Sequence, residues 1–169
     1  MHIRALSPLD VDAYRSLRLA ATLESPTAVW ANHAEESALT PEQIGQRLLA
    51  SPWQTVFGGF IDGRLVAVAG LKREAVAKIA HRANVWGIYV APEQRGGGRA
   101  RMLVTALIEH ARAVPELVQL TLCVRSTNLA AKGLYQTLGF IVTGVDRRSM
   151  WVDGAYHDED RMLLLLDAD

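Results

Sequence analysis

The segment Gln94-Arg95-Gly96-Gly97-Gly98-Arg99-Ala100 follows an apolar run, Val85-Trp86-Gly87-Ile88-Tyr89-Val90, and precedes a helical pattern. A strand, a glycine turn and a helix in that order build an anion site. Glycine lets the backbone turn tightly and approach a ligand with no Cβ in the way. The first amides of the helix lack intrahelical acceptors, and the helix dipole adds partial positive charge there. A phosphate group suits such a place. The chain is therefore expected to hold a phosphate-bearing cofactor.

The other elements follow from periodicity and punctuation. His2 to Leu6 reads as a first strand. Ser7-Pro8 starts a helix whose apolar stripe is Leu9, Ala13, Leu17 and Ala20. Thr40-Pro41-Glu42-Gln43 starts a second helix, with Ile44, Leu48 and Leu49 on its apolar face. The segment between these helices, with Glu24, Trp30, Glu35 and Glu36, shows no decisive pattern. Thr55–Ile61 and Leu65–Lys72 flank Asp62-Gly63, a hairpin signal. A third strand runs from about Asn84 to Val90, then a helix from Gly98 to Ala113, a strand from Leu117 to Val124 and a helix from Asn128 to Leu138. Phe140–Val145 and Arg161–Leu166 are the last strands, with an Asp153-Gly154 turn between them. The order implies an α/β (α+β) fold with a mixed sheet and helices on both faces. One domain over residues 1–169 is expected.

Composition narrows the function. Eighteen basic residues balance eighteen acidic ones, so no net field favours nucleic acid or an acidic membrane. A single cysteine, Cys123, excludes a disulfide framework and a multi-cysteine metal site. His157-Asp158-Glu159-Asp160 has the composition of a metal cluster but reads as the polar start of a strand, and no metal is expected. No stretch approaches the roughly 20 apolar residues that span a bilayer, and the N-terminus lacks the apolar core of a signal peptide. A cytoplasmic location is the expectation. Met162-Leu163-Leu164-Leu165-Leu166 does not alternate and reads as a strand buried on both faces, either internal to the sheet or in a dimer contact; a homodimer is expected.

Three phosphate ligands compete for the glycine run. A P-loop requires lysine and then serine or threonine after its last glycine, where Arg99 and Ala100 stand. A dinucleotide loop requires a further glycine at fixed spacing and an acidic residue near the end of the next strand; Glu116 precedes its strand. The third is a pyrophosphate loop for coenzyme A. Arg95-Gly96-Gly97-Gly98-Arg99-Ala100 resembles the Arg/Gln-x-x-Gly-x-Gly/Ala loop of the GNAT superfamily of N-acetyltransferases. Asn128-Leu129-Ala130-Ala131-Lys132-Gly133-Leu134-Tyr135-Gln136-Thr137-Leu138-Gly139-Phe140 is similar to that family's Asn-x-x-Ala-x-x-Leu-Tyr-x-x-x-Gly-Phe. The element order resembles the GNAT fold over nearly the whole chain, matching only in element type over the first 60 residues.

The resemblance implies a mostly antiparallel central sheet and direct acetyl transfer from acetyl-CoA to a primary amine of a small molecule or a protein N-terminus. The amides of Gly96, Gly97, Gly98, Arg99, Ala100 and Arg101 would face the pyrophosphate, with the side chains of Arg95, Arg99 and Arg101 near phosphate or in solvent. The backbone of Ile88, Tyr89 and Val90 would pair with the pantetheine arm, its amides near the acetyl carbonyl, where charge develops in the transition state. Asn128 caps its helix and, by resemblance, touches the same arm. Tyr135 would protonate the departing thiolate.

The usual base positions fall near Asn84 and Cys123, which carry no carboxylate. A thiol at Cys123 accepts a proton only if its pKa is depressed. Glu24, Glu35, Glu36 and His81 stay candidates through water, and none is assigned. Residues 24–36 and 150–160 would build the acceptor pocket, with Trp30 and Trp151 in its walls and Glu35 and Glu36 either drawing a cationic amine or forming a solvated helix face. The missing carboxylates keep open a second class, a non-catalytic acyl-CoA sensor or interaction module.

Overall fold

A computed structural model describes residues 1–166. The elements are β1 (His2–Ala5), α1 (Val11–Glu24), α2 (His33–Ser37), α3 (Pro41–Leu48), β2 (Gln54–Ile61), β3 (Arg64–Arg73), β4 (Arg82–Val90), α4 (Arg99–Arg112), β5 (Gln119–Arg125), α5 (Leu129–Thr137), β6 (Ile141–Val152) and β7 (Ala155–Leu165). The strands form one sheet in the order β1-β2-β3-β4-β5-β7-β6. Every neighbouring pair is antiparallel except β4 and β5. Helices cover both faces. Leu103, Leu107 and Ala111 of α4 and Tyr135 of α5 share one core with Ala67, Ala69, Leu120 and Leu122. Tyr14, Leu17, Ile44 and Leu48 share the other with Val56 and Val68.

Two expectations need correction, and one open segment gains a structure. The stripe of α1 is Tyr14, Leu17, Arg18 and Ala21, while Leu9 is 96% exposed. Pro8–Asp10 forms a 3-10 turn, which winds three residues per turn and resets the phase before α1 begins. Leu49 lies beyond the end of α3 and is exposed. The undecided segment contains α2, fixed by a capping box in which Asn32 and Glu35 each accept the other's backbone N–H. At five residues it is too short for periodicity to reveal.

The last hairpin is longer than its apolar content suggests. Asp153 and Gly154 both have positive φ, as do Asp62 and Gly63, which suits two-residue turns between twisted strands. β7 is internal, between β5 and β6. Met162 and Leu164 are buried, but Leu165 is exposed, so the strand is not covered on both faces. No described helix is long and apolar enough to cross a membrane.

Candidate functional site

The site begins with a failure of pairing. β4 and β5 are in register only from Arg82–Asn84 against Gln119–Thr121. Beyond that point both strands continue unpaired to each other. A bulge against β3 between Val68 and Gly70 turns β4 away, and Gly87 supplies a left-handed φ of 61° on the bulged strand. The Trp86 indole fills the space over Gly70 that any side chain there would occupy. The strands splay, and the unpaired edge of β4 faces a groove of about 400 Å³.

Ile88, Tyr89, Val90, Arg95, Ala100, Asn128 and Tyr135 all line this groove. Gly96, Gly97, Gly98, Arg99 and Arg101 do not; they form the loop and first turn of α4, next to Arg95 and Ala100. Side chains cap α2, α3 and α5, whereas Gly98 caps α4 without one. The first amides of α4 thus receive no acceptor from the cap residue's side chain. Gly96 and Gly98 have φ of 83° and 73°, so chain geometry alone accounts for glycine at both. Gly97 has no positive φ, and only the Arg99 guanidinium crowds it.

The three arginines all have protein partners. Arg95 donates to both carboxylate oxygens of Glu24, at 3.0 and 2.6 Å, and to the Val90 carbonyl at 2.9 Å. The hydrogen bond from Arg95 holds the Glu24 carboxyl below its usual range. Arg99 donates to the Gln94 carbonyl at 3.0 Å and Arg101 to the Thr137 hydroxyl at 2.6 Å. These contacts shape the loop. Asn128 accepts from the Ala131 N–H at 3.1 Å, which makes it the cap of α5 as well as a wall of the groove.

Tyr135 packs edge-on against Phe140, ring centroids 6.1 Å apart. Burial pushes its phenol up to about 12, so it stays protonated across the physiological range. Burial also raises the Cys123 thiol, with a further push from the Glu159 charge. Cys123 is therefore no proton acceptor.

A second cavity of about 380 Å³ shares Trp86, Gly87, Cys123 and Glu159 with the groove. A third, of about 740 Å³, is lined by Trp30, Trp151, Glu35, Cys123 and Glu159. Among the described residues, only Cys123 and Glu159 line all three. Glu159 is 6% exposed, and its carboxylate accepts from Trp30 Nε1 at 3.1 and 3.2 Å and from the Ser149 hydroxyl at 2.7 Å. Sequence reasoning passed over it inside His157–Asp160. The pairing of β7 with β5 sets Glu159 opposite Arg125, two residues from Cys123. That juxtaposition is invisible along the chain.

The other acidic candidates are otherwise engaged. Glu35 caps α2. Glu36 is 2% exposed and bound by Arg18 at 3.2 Å and Arg47 at 2.6 Å, so it is neither a solvated face nor free for an amine. His81 lines none of the three cavities. Asp160 is held by Lys132 and Ser126, and among the described residues no three His, Cys, Asp or Glu converge as a metal site.

Comparison with known proteins agrees with this architecture. Residues 17–140 match the acetyltransferase (GNAT) family. A ribosomal protein bS18 alanine N-acetyltransferase from Salmonella typhimurium is 32% identical over 131 residues, covering 73% of this chain and 86% of that one. A mycothiol acetyltransferase from Streptomyces griseus is 32% identical over 132 residues, 75% of this chain. The chain spans only 41% of that relative's length. A Salmonella typhimurium acetyltransferase solved with its cofactor acetyl-CoA superposes with a TM-score of 0.84 at 24% identity, over 100% of this chain and 95% of that one.

Proposed function

The chain belongs to the GNAT acetyltransferase family, and on that premise we propose that it moves an acetyl group from acetyl-CoA directly to a primary amine. The observation that carries this is the splayed β4–β5 edge, with the buried Tyr135 phenol on one wall and the uncapped start of α4 at one end. Acetyl-CoA lies in the groove. Its pyrophosphate meets the amides of Gly96 through Arg101, and its pantetheine arm runs along the backbone of Ile88, Tyr89 and Val90 beside Asn128.

The neutral amine attacks the thioester carbonyl carbon, and β4 amides stabilise the oxyanion that forms. As the C–S bond breaks, Tyr135 gives its proton to the sulfur and is reprotonated from solvent. The proton lost by the amine goes to Glu159, the buried carboxylate common to all three cavities. That carboxylate weakens the case for a non-catalytic sensor, which rested on the absence of a base.

A homodimer through the β6–β7 end of the sheet fits the exposed Ile141 and Leu165 beside Leu163. A monomeric mass in sedimentation at micromolar concentration would overturn it. The transfer itself is tested by amine-dependent release of free thiol from acetyl-CoA. Tight acetyl-CoA binding with no thiol release from any acceptor would favour the sensor.

A further inference from the structure

The 380 Å³ cavity beside the groove is lined by Arg18, Arg47 and Lys72 against two carboxylates, Glu36 and Glu159. Glu36 is already saturated by two arginines. Arg18 is 4% exposed and uses only Nη2 on Glu36. Its Nε and Nη1 are buried with no hydrogen-bond partner among the described residues, and so is Trp86 Nε1. Arg18 Nη1 lies over Gly87, 3.2 Å from where a Cβ on that residue would stand. Gly87 is the bulge residue at the wall shared with the groove.

These unpaired groups have one chemistry. Arginine and indole N–H groups donate and cannot accept. Buried donors without acceptors are unfavourable, so the Arg18 end of the cavity suits a guest group that accepts. With Nη2 on Glu36, the remaining Arg18 donors can each give a charge-assisted hydrogen bond to a carboxylate oxygen. Glu159, on the same cavity wall, offers the complementary end, an acceptor-only carboxylate suited to an ammonium or amine.

We infer that the acceptor is an amino acid, its carboxylate held by Arg18 and its amine presented at Glu159. This rests on the transferase reading above and names its acceptor class. The product is the N-acetyl amino acid: one C–N bond forms, the thioester C–S bond breaks, and the amine's proton balances that delivered to the thiolate. A polyamine brings a second cation, not an anion, to the end of the cavity where Arg18, Arg47 and Lys72 outnumber the carboxylates. A protein N-terminus carries its carboxyl as an amide and leaves Arg18 without an anion.

The test compares L-methionine, L-leucine and L-phenylalanine with their amides and their decarboxylated amines in a thiol-release assay. In parallel, N-acetylated forms of each are titrated into CoA-saturated protein while its melting temperature is followed. The inference predicts kcat/KM at least 100-fold higher for free amino acids than for either neutralised series. It also predicts that Arg18→Lys, which keeps the charge beside Glu36, raises acceptor KM tenfold or more with CoA affinity within twofold. Equal or better turnover of the amides or amines overturns the amino-acid assignment and leaves the transferase standing. Arg18-dependent stabilisation by the carboxylates with no turnover of any acceptor supports the anion site and removes the transferase. No stabilisation and no preference for carboxylates overturns the inference.

Discussion

Replacing Tyr135 by phenylalanine removes one hydroxyl and little else. The ring sits in the core beside Phe140 and keeps that edge-on contact. Stability should therefore change by less than about 0.5 kcal/mol if the hydroxyl has no structural role. Burial lifts the phenol to about 12. Against a thiol near 8.5 in water, proton transfer would be uphill by about 3.5 pK units, or roughly 5 kcal/mol. A thiolate formed in the same groove is penalised by the same desolvation, and Cys123, which lines that groove, shows the direction. The gap closes only if the thiolate leaves into this dry wall, where the proposed mechanism makes the phenol its proton source.

Loss of a positioned general acid costs about 10²- to 10⁴-fold in rate. Tyr135→Phe should therefore lower kcat at least 100-fold in a thiol-release assay at saturating substrates. The acetyl-CoA Kd by calorimetry should stay within threefold. Wild-type kcat should show no alkaline limb from Tyr135 below about pH 11, since the group is neutral there. A kcat within threefold of wild type, with chemistry shown to be rate-limiting by pre-steady-state measurement, would refute the assignment.

Gly97→Glu places a carboxylate in the loop without backbone strain, because Gly97 has no positive φ and only the Arg99 guanidinium must move. CoA Kd should rise at least 100-fold with the melting temperature unchanged; normal affinity in the folded variant would sink the loop assignment. The hydrogen bond from Arg4 holds Asp10 at about 2, below its ordinary value of 3.8. That stability is present above about pH 4 and is lost as pH falls through about 2. Arg4 is 42% exposed, so solvent discounts the pair to at most about 1 kcal/mol. Asp10→Asn should lower the melting temperature at pH 7 by roughly 2–4 °C, with the difference shrinking as pH falls through about 2, as followed by circular dichroism. An unchanged melting temperature at pH 7 would remove the pair from the stability account.

The cofactor side was legible because its chemistry lies in contiguous runs. The glycine loop, the strand before it and the Asn128–Phe140 motif each sit on one stretch of chain, and the fold only has to set them beside one another. The residues proposed for the acceptor side were not legible. Glu159 reaches the groove through the register of β7 on β5, and Arg18 reaches its cavity because the 3-10 turn at Pro8–Asp10 rotates α1. Glu36 looked like half of an acidic surface pair, yet it is buried between two arginines contributed by α1 and α3. Charges that pair across elements leave no local pattern. The β4–β5 split lies between these cases: Gly87 could be seen in the strand, but the loss of pairing after Asn84 is a property of the sheet.

The central claim is that the β4–β5 groove and the start of α4 form a coenzyme A site. A thermal-shift titration with acetyl-CoA, CoA, NAD and ATP tests it most directly. At 100 times its Kd a ligand stabilises the folded state by about 2.7 kcal/mol, and for a chain of this size that raises the melting temperature by roughly 5–10 °C. The account predicts that shift with acetyl-CoA and with CoA, and none with NAD or ATP. No shift with either coenzyme A species would contradict it.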